Sequence, residues 1–369
     1  MLERMTLRNF KGHRESVVDF RPLTILAGPN GSGKTSVLDA VHLLGQLYFK
    51  TGSELFRGPH APDALVRRVA GIEGFSLLAK GTSGGSSRSL FLDAVTEQEP
   101  FFSEEGDQIP HAKWYFPRTL GTEGQEQLFP DGPQSLAQTG QGEHWPELRN
   151  TVLLRLDARR VAASSPGNPH ARVAFDGSNT ATVLANLKLT DEARFERIVA
   201  DVARVVPQVE RVRAIPTSVR SADSSEAGFR LVFDVRGGTD VPATSISEGT
   251  LATVALMTIL NGPRPPRTIL LDDVDEALHP SAQARLMKIL IGLTTSPNPV
   301  QVVATSHSPY ILDCVEPDAV EVFAIRDDGT AAVRCLAQHP EAMRYKGALS
   351  AGQLWTLDDE HSWVIEGAA

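Results

Sequence analysis

The run Gly28-Pro-Asn-Gly-Ser-Gly-Lys-Thr35 has the residue types and spacing of a phosphate-binding loop. It follows the apolar stretch Leu23–Ala27 and precedes Ser36–Leu47, where Val37, Leu38, Val41 and Leu44 recur at helical spacing. The glycines let successive backbone N–H groups turn inward and form a nest for phosphate oxygens. The helix that follows points the positive end of its dipole at the same place. Asn30, Gly31, Ser32, Gly33, Lys34, Thr35 and Ser36 are the expected nucleotide contacts. Lys34 brings a point charge to the β- and γ-phosphates, and Thr35 offers a hydroxyl to Mg²⁺.

Three further clusters carry chemistry. Ile269-Leu-Leu-Asp272-Asp273 is an apolar strand that ends in two carboxylates, which is costly unless they have partners. A Mg²⁺ ion shared with Thr35 is such a partner for Asp272, and Asp273 can polarise an attacking water. The other reading is a strand end entering an acidic loop. Val302-Val-Ala-Thr305-Ser306-His307-Ser308-Pro309 again delivers polar groups at the end of an apolar run. A neutral His307 there can donate to a γ-phosphate oxygen, or it can cap a loop. Ser245-Ile-Ser247-Glu248-Gly249-Thr250 is a good helix N-terminus, with a serine cap and an early acidic residue. It is equally a second phosphate-binding device. With one helix terminus already on the phosphates, Ser247 and Gly249 fit best on the nucleotide of another subunit.

These clusters need elements to hold them. Leu2–Leu7, Ser16–Phe20 and Leu23–Ala27 read as short strands. Residues 51–148 are dense in Gly, Ser, Pro, Gln and Glu, as in Gly81–Ser87 and Asp131–Glu143, with strand-like pieces at Phe75–Ala79 and Ser89–Val95. That composition predicts a loop-rich insertion within a single head spanning residues 1–369. Thr151–Leu156 reads as a strand, residues 178–228 as a helical lobe segment, and Asp191–Val206 as an amphipathic helix ended by Pro207. Phe229–Val235, Thr268–Leu271 and Gln301–Thr305 follow as strands, and Leu251–Leu260 and Ala282–Leu293 as helices. Residues 316–369 hold terminal strands at Ala319–Ile325 and Ala331–Leu336, then a tail. Within that tail Ala348–Trp363 either packs back on the head or docks a partner. Strands and helices alternating around a phosphate loop predict an α/β fold with a mostly parallel central sheet, ligands lying at the carboxyl ends of its strands.

The chain has 369 residues, 41% apolar and 22% charged, as in an ordinary globular protein. No stretch has the ~20 apolar residues of a membrane span, and no signal-peptide pattern opens the chain. Cys314 and Cys335 are its two cysteines, too few for a disulfide framework or a cysteine zinc site. A cytoplasmic location follows as the simple expectation. The net charge of −9 is not that of a protein whose main work is gripping a nucleic-acid backbone. Basic residues gather only in small clusters: Arg8/Lys11/Arg14, Arg67/Arg68/Lys80, Arg155/Arg159/Arg160 and Arg204/Arg211/Arg213. Nucleic acid therefore stays possible as a partner without support from charge.

The order of the motifs resembles the ABC-type ATPase heads of the RecF, SMC and OLD (overcoming lysogenization defect) group, and within it the prokaryotic AAA family ATPases. Leu7-Arg-Asn-Phe10-Lys-Gly-His13 looks like that group's N-terminal signature. Asp272-Asp-Val-Asp-Glu-Ala-Leu278-His279-Pro280 is similar to its Walker B and D-loop run. Ser247-Glu-Gly-Thr250 matches the signature position and His307 the switch histidine. The resemblance covers residues 1–50 and about 240–315, and is weak from 51 to 190. It implies ATP and Mg²⁺ as ligands, Thr35 and Asp272 as metal ligands, and Lys34, Asp273 and His307 as catalytic groups. It also implies a head-to-tail homodimer, or a heterodimer with a related head, that sandwiches ATP.

Asp273 stands where the group usually has Glu, one methylene longer. No glutamine in the insertion is singled out as the Q-loop residue. About sixty residues follow His307, too few for the Toprim nuclease domain of OLD-type proteins, and no coiled-coil heptads are present. The resemblance implies an ATPase that drives or gates a DNA-maintenance or anti-phage defence assembly. The alternative is a slow or non-hydrolysing nucleotide sensor that holds a separate effector subunit, a nuclease or a toxin. A transporter subunit is disfavoured by the absence of a Leu-Ser-Gly-Gly-Gln type signature, and nothing marks an acceptor site for a kinase.

Overall fold

A computed structural model describes residues 1–50, 52–56, 61–69, 74–95, 97–102, 108–113, 145–220, 225–262, 265–342, 344–345 and 347–365. The run Asp131–Glu143 lies outside the described residues. The chain divides into two compact units, Met1–Thr151 with Gln301–Ala369, and Val152–Val300.

Besides a two-stranded ribbon of Glu97–Phe102 with Gln108–Lys113, the first unit holds two larger sheets. One is antiparallel, in the order His13–Asp19, Leu2–Phe10, Gly74–Ser83, Ser86–Val95. Half of its strands come from the stretch that composition marks as an insertion. Alternation decides this: Phe75, Leu77 and Ala79 are buried, as are Leu90, Leu92 and Ala94 on the partner strand. On Gly74–Ser83 the intervening Ser76 and Leu78 are less buried, the alternation of a half-buried sheet. The other sheet runs Ala331–Cys335, Val320–Ile325, Leu23–Ala27, Gln301–Ser306. Leu23–Ala27 is parallel to both of its neighbours, and Ala331–Cys335 is antiparallel to Val320–Ile325. Every residue of Leu23–Ala27 and of Gln301–Ser306 is buried, as expected for strands covered on both faces. The buried Gln301 joins the two sheets. Its amide oxygen accepts from the Leu2 N–H at 2.9 Å, and its amide nitrogen donates to the Leu2 carbonyl at 2.6 Å.

The C-terminal stretch closes on this unit. Trp363 is 5% exposed, its ring 4.8 Å from that of His339, and its carbonyl accepts from Arg334. Ser350 and Gln353 form a capping box on the helix Ala351–Trp355. Ala348–Trp363 thus packs back on its own unit.

The second unit carries the paired strands Thr151–Leu154 and Thr268–Leu271, with the Asp272 N–H donating to the Leu154 carbonyl. Its longer helices are Thr180–Thr190, Glu192–Val205, Glu248–Leu260 and Pro280–Thr294. Asp191 caps Glu192–Val205, and Phe195, Ile198, Val202 and Val205 form its buried face. The helical segment expected over 178–228 ends at Val205. Val209–Arg220 is instead a strand, antiparallel to Ser225–Val235. Pro207 stops the helix, and the pairing brings Val209 and Val212 into the core beside Leu231, Val232 and Phe233.

Several residues of the basic clusters pair with carboxylates. Arg8 pairs with Glu15, Lys11 with Asp39, Arg155 with Asp272, Arg204 with Asp201, and Arg213 with Asp234 and Asp240. Among the described residues no helix is long and apolar enough to cross a membrane.

Candidate functional site

The phosphate loop leaves the strand Leu23–Ala27 at Gly28 and enters the helix Lys34–Gln46. Gly28, Gly31 and Gly33 sit at φ +135°, +78° and +99°, where residues with a β-carbon are strained. Two of the three also lack room. A β-carbon on Gly28 would lie 2.3 Å from the Phe323 carbonyl oxygen, and one on Gly33 2.6 Å from the His13 Nε2. Gly31 instead faces open space. Gly33 is the helix N-cap and makes no side-chain capping bond, so the first-turn N–H groups are not answered in the usual way.

Two side chains test whether this cradle fits a phosphate. Ser32 is 1% exposed, and its hydroxyl is buried with no hydrogen-bond partner. An unsatisfied buried hydroxyl in a nest of glycines fits a phosphate oxygen as its missing partner. Lys34 is 5% exposed, and its Nζ donates to the Gly28 and Pro29 carbonyls, 2.8 Å each. Its ammonium thus folds over the loop that a triphosphate would occupy. Thr35 and Ser36 open the helix beside it.

His307 belongs to the same unit. Ser306 is in register with Ala27, the residue just before the loop. His307 is the next residue, half-buried, and the Ser308 N–H donates to the Ser306 hydroxyl at 3.0 Å. The register of two parallel strands therefore delivers His307 and the phosphate loop at the same sheet edge.

Asp272, Asp273, Ser247 and Gly249 come together in the second unit. The Asp272 carboxylate is largely buried and accepts from the Arg155 Nε at 3.0 Å. Asp273 adopts φ +50°, in the left-handed region that Asp tolerates better than most residues. Its carbonyl accepts from the Glu276 N–H. Four residues on, Ala277 is again left-handed at φ +57°. The turn is fixed from beneath by the buried Gln283, whose amide donates to the Asp275 and Leu278 carbonyls. Ser247 caps the helix Glu248–Leu260, its hydroxyl 2.8 Å from that of Thr250. Gly249 packs against the turn: a β-carbon there would lie 2.5 Å from the Ala277 carbonyl oxygen. A cavity of about 280 Å³ lies between this helix and the turn, lined by Glu248, Asp272, Asp273, Glu276 and Leu278.

Two contacts escape a reading of motifs. His13 sits on the Gly33 carbonyl, and Arg155 sits on Asp272. Each is a single polar residue at a strand end, His13 opening His13–Asp19 and Arg155 following Thr151–Leu154, a weak signal that only the tertiary contact resolves.

Residues 148–313 match a family model described as "AAA domain, putative AbiEii toxin, Type IV TA system", and residues 4–54 match a second described as "AAA domain". The chain is 22% identical over 356 residues to an OLD nuclease of Thermus scotoductus, covering 89% of this chain and 63% of that one. It is 31% identical over 108 residues to a DNA replication and repair protein RecF of Carboxydothermus hydrogenoformans, covering 29% and 28%. It is 38% identical over 93 residues to a DNA double-strand break repair Rad50 ATPase of Pyrococcus abyssi, covering 25% and 10%. The chain thus spans less than two thirds of the length of each. The solved structure of an SMC head bound to the C-winged helix domain of ScpA superposes with TM-score 0.59 at 16% identity, covering 93% of this chain and 99% of that one. The Smc head of Pyrococcus furiosus, bound to the C-terminal domain of ScpA, gives 0.57 at 13%, covering 94% and 98%. These likenesses show the fold, an α/β head with a mixed sheet. Together with the AAA-domain matches over residues 4–54 and 148–313, they fit the RecF/SMC/OLD-like group of AAA-family ATPases.

Proposed function

We propose that this chain, an ATPase head of the RecF/SMC/OLD-like group, binds ATP with Mg²⁺ and hydrolyses it to cycle a head-to-tail dimer. In this reading Lys34 neutralises the β- and γ-phosphates, while Asn30, Gly31, Ser32, Gly33 and Ser36 line the cradle. Thr35 and Asp272 hold Mg²⁺, which when bound screens phosphate charge. Asp273 orients water and His307 donates to the terminal phosphate. Ser247 and Gly249 close on the nucleotide of the partner head, a homodimer mate or a related chain. The cycle gates a DNA-maintenance or anti-phage defence assembly with a separate effector subunit.

The observation that carries this reading is the phosphate cradle itself. Three left-handed glycines, an unpartnered buried hydroxyl and a lysine held over the loop have one common explanation, an anion bound in the nest. Equilibrium titration with ATP tests it. Lys34→Ala is expected to abolish binding and phosphate release, and undiminished turnover in that variant would overturn the assignment.

A second reading has its own support. Asp272 is engaged by Arg155, and Asp273 is short and conformationally constrained. Both favour slow turnover, as in a nucleotide-sensing scaffold. Multiple-turnover phosphate release separates the two: tight ATP binding with almost no release favours the scaffold.

A further inference from the structure

His13 is fully buried yet polar, and it touches the phosphate loop. Its Nε2 lies 3.1 Å from the Gly33 carbonyl oxygen, and its Nδ1 lies 2.9 Å from the Ser16 hydroxyl. A carbonyl only accepts, so Nε2 carries the proton, and Nδ1 is left to accept from Ser16. The ring meets Phe323 edge-on, centroids 6.4 Å apart.

We infer that His13 is a positioning residue: it holds the Gly33 peptide, and with it the phosphate loop, in the binding conformation. Four observations support this. First, Gly33 is the left-handed hinge between loop and helix. Second, the carbonyl that His13 grips is also the first acceptor of the helix, and that bond, from the Val37 N–H, is long at 3.3 Å. The helix alone therefore holds this peptide weakly, and the imidazole supplies a second restraint. Third, the ring fills the space a β-carbon on Gly33 would need. Fourth, the other end of the loop is pinned independently, with the Phe323 carbonyl against Gly28. The two contacts bracket the loop, and Lys34 restrains it further through the Gly28 and Pro29 carbonyls. Burial pushes the His13 pKa down to about 4, with Lys11 adding to the effect, so the ring is neutral near pH 7 with one donor and one acceptor. A neutral ring adds no charge to the phosphate site. Its role is geometric, the preorganisation of a cradle whose N–H groups must already converge when the anion arrives.

The inference rests on reading the loop as an ATP site, and the test separates the two. His13→Phe keeps the ring and loses the donor. His13→Gln places an amide N–H near the position of Nε2, and His13→Asn reaches only the position of Nδ1. ATP with MgCl₂ is titrated against each full-length variant, and thermal midpoints are taken with and without nucleotide. His13→Phe and His13→Asn are expected to weaken ATP binding about tenfold, with nucleotide-free midpoints close to wild type. The stabilisation conferred by ATP shrinks in proportion. His13→Gln is expected to retain affinity within about threefold. Wild-type affinity in His13→Phe, or a folded His13→Gln as weak as His13→Asn, overturns the inference. If His13→Phe fails to fold, the Gln and Asn pair decides alone. Wild-type protein that binds ATP in a Lys34-dependent way while His13→Phe binds equally well removes only the role of His13. Folded wild-type protein that binds no ATP removes the ATP reading and the inference together.

Discussion

Gly249 lies directly against the carbonyl of Ala277. A β-carbon at Gly249 would approach that oxygen to 2.5 Å and the Leu278 Cδ2 to 2.9 Å. The start of the helix Glu248–Leu260 and the turn after Asp273 are therefore mechanically one piece. Ala277 cannot yield easily, because it is left-handed and Gln283 anchors the carbonyls on either side of it.

Gly249→Ala is expected to destabilise the protein by about 1–2 kcal/mol. Overpacking against backbone costs about 1–3 kcal/mol, offset by up to ~1 kcal/mol of better helix propensity. It should also weaken ATP-dependent dimerisation, since the turn must move. Urea unfolding and sizing with ATP read both effects. An unchanged midpoint together with normal dimerisation would show the contact to be slack.

Arg155 competes for the carboxylate proposed to bind Mg²⁺. Arg155 is part-exposed, so after solvent screening the pair contributes only about 0.5 kcal/mol. Arg155→Gln should lower the Mg²⁺ concentration for half-maximal ATP turnover roughly twofold. A rise instead would mean that Arg155 helps to build the site.

Asp273→Asn keeps the left-handed backbone, which Asn tolerates, and removes the charge. Turnover is expected to fall about 10²-fold or more, the scale of a lost proton acceptor, with ATP binding retained. Sizing with ATP should then show an accumulated dimer. Monomers alone would count against the sandwich.

Glu321 gives a pH signature. Its carboxyl is buried on the strand Val320–Ile325, and burial, aided by Asp19, pushes its pKa up to about 8 from the usual 4.5. Below about pH 4.5 both folded and unfolded chains hold the proton, and stability carries no penalty. Between 4.5 and 8 only the unfolded chain ionises, so stability falls by up to about 1.4 kcal/mol per pH unit. Above 8 the loss is complete. Glu321→Gln should flatten this part of the profile, gaining most over wild type at pH 8 and little at pH 5. Urea midpoints at pH 5, 6.5 and 8 measure it, and parallel profiles would refute it.

The phosphate loop was legible because its chemistry is local: eight consecutive residues between an apolar strand and an apolar helix. Asp272 and His307 stood out for a related reason, each following a fully buried strand where a polar group needs a purpose. Within 51–148 the strands at Phe75–Ala79 and Ser89–Val95 were legible, but not their pairing onto Leu2–Phe10, which only the tertiary fold makes. Composition misled after Pro207, where Val209–Arg220 pairs as a strand with Ser225–Val235. His13 and Arg155 lay beyond reach for a different reason. Their partners, Gly33 and Asp272, are 20 and 117 residues away, and no local pattern encodes a contact made only by the tertiary fold.

The bond from Leu2 to Gln301 spans 299 residues, and the strand leading into the phosphate loop takes a neighbour from Val302–Ser306. On a ribosome the first strands therefore emerge long before the strand that completes their sheet has been made. Pairings of such sequence distance form slowly and leave strand edges uncovered meanwhile. Nascent chains should thus depend on holding chaperones until late in synthesis, and a truncation that stops short of residue 300 should yield aggregate in place of a smaller nucleotide-binding fragment.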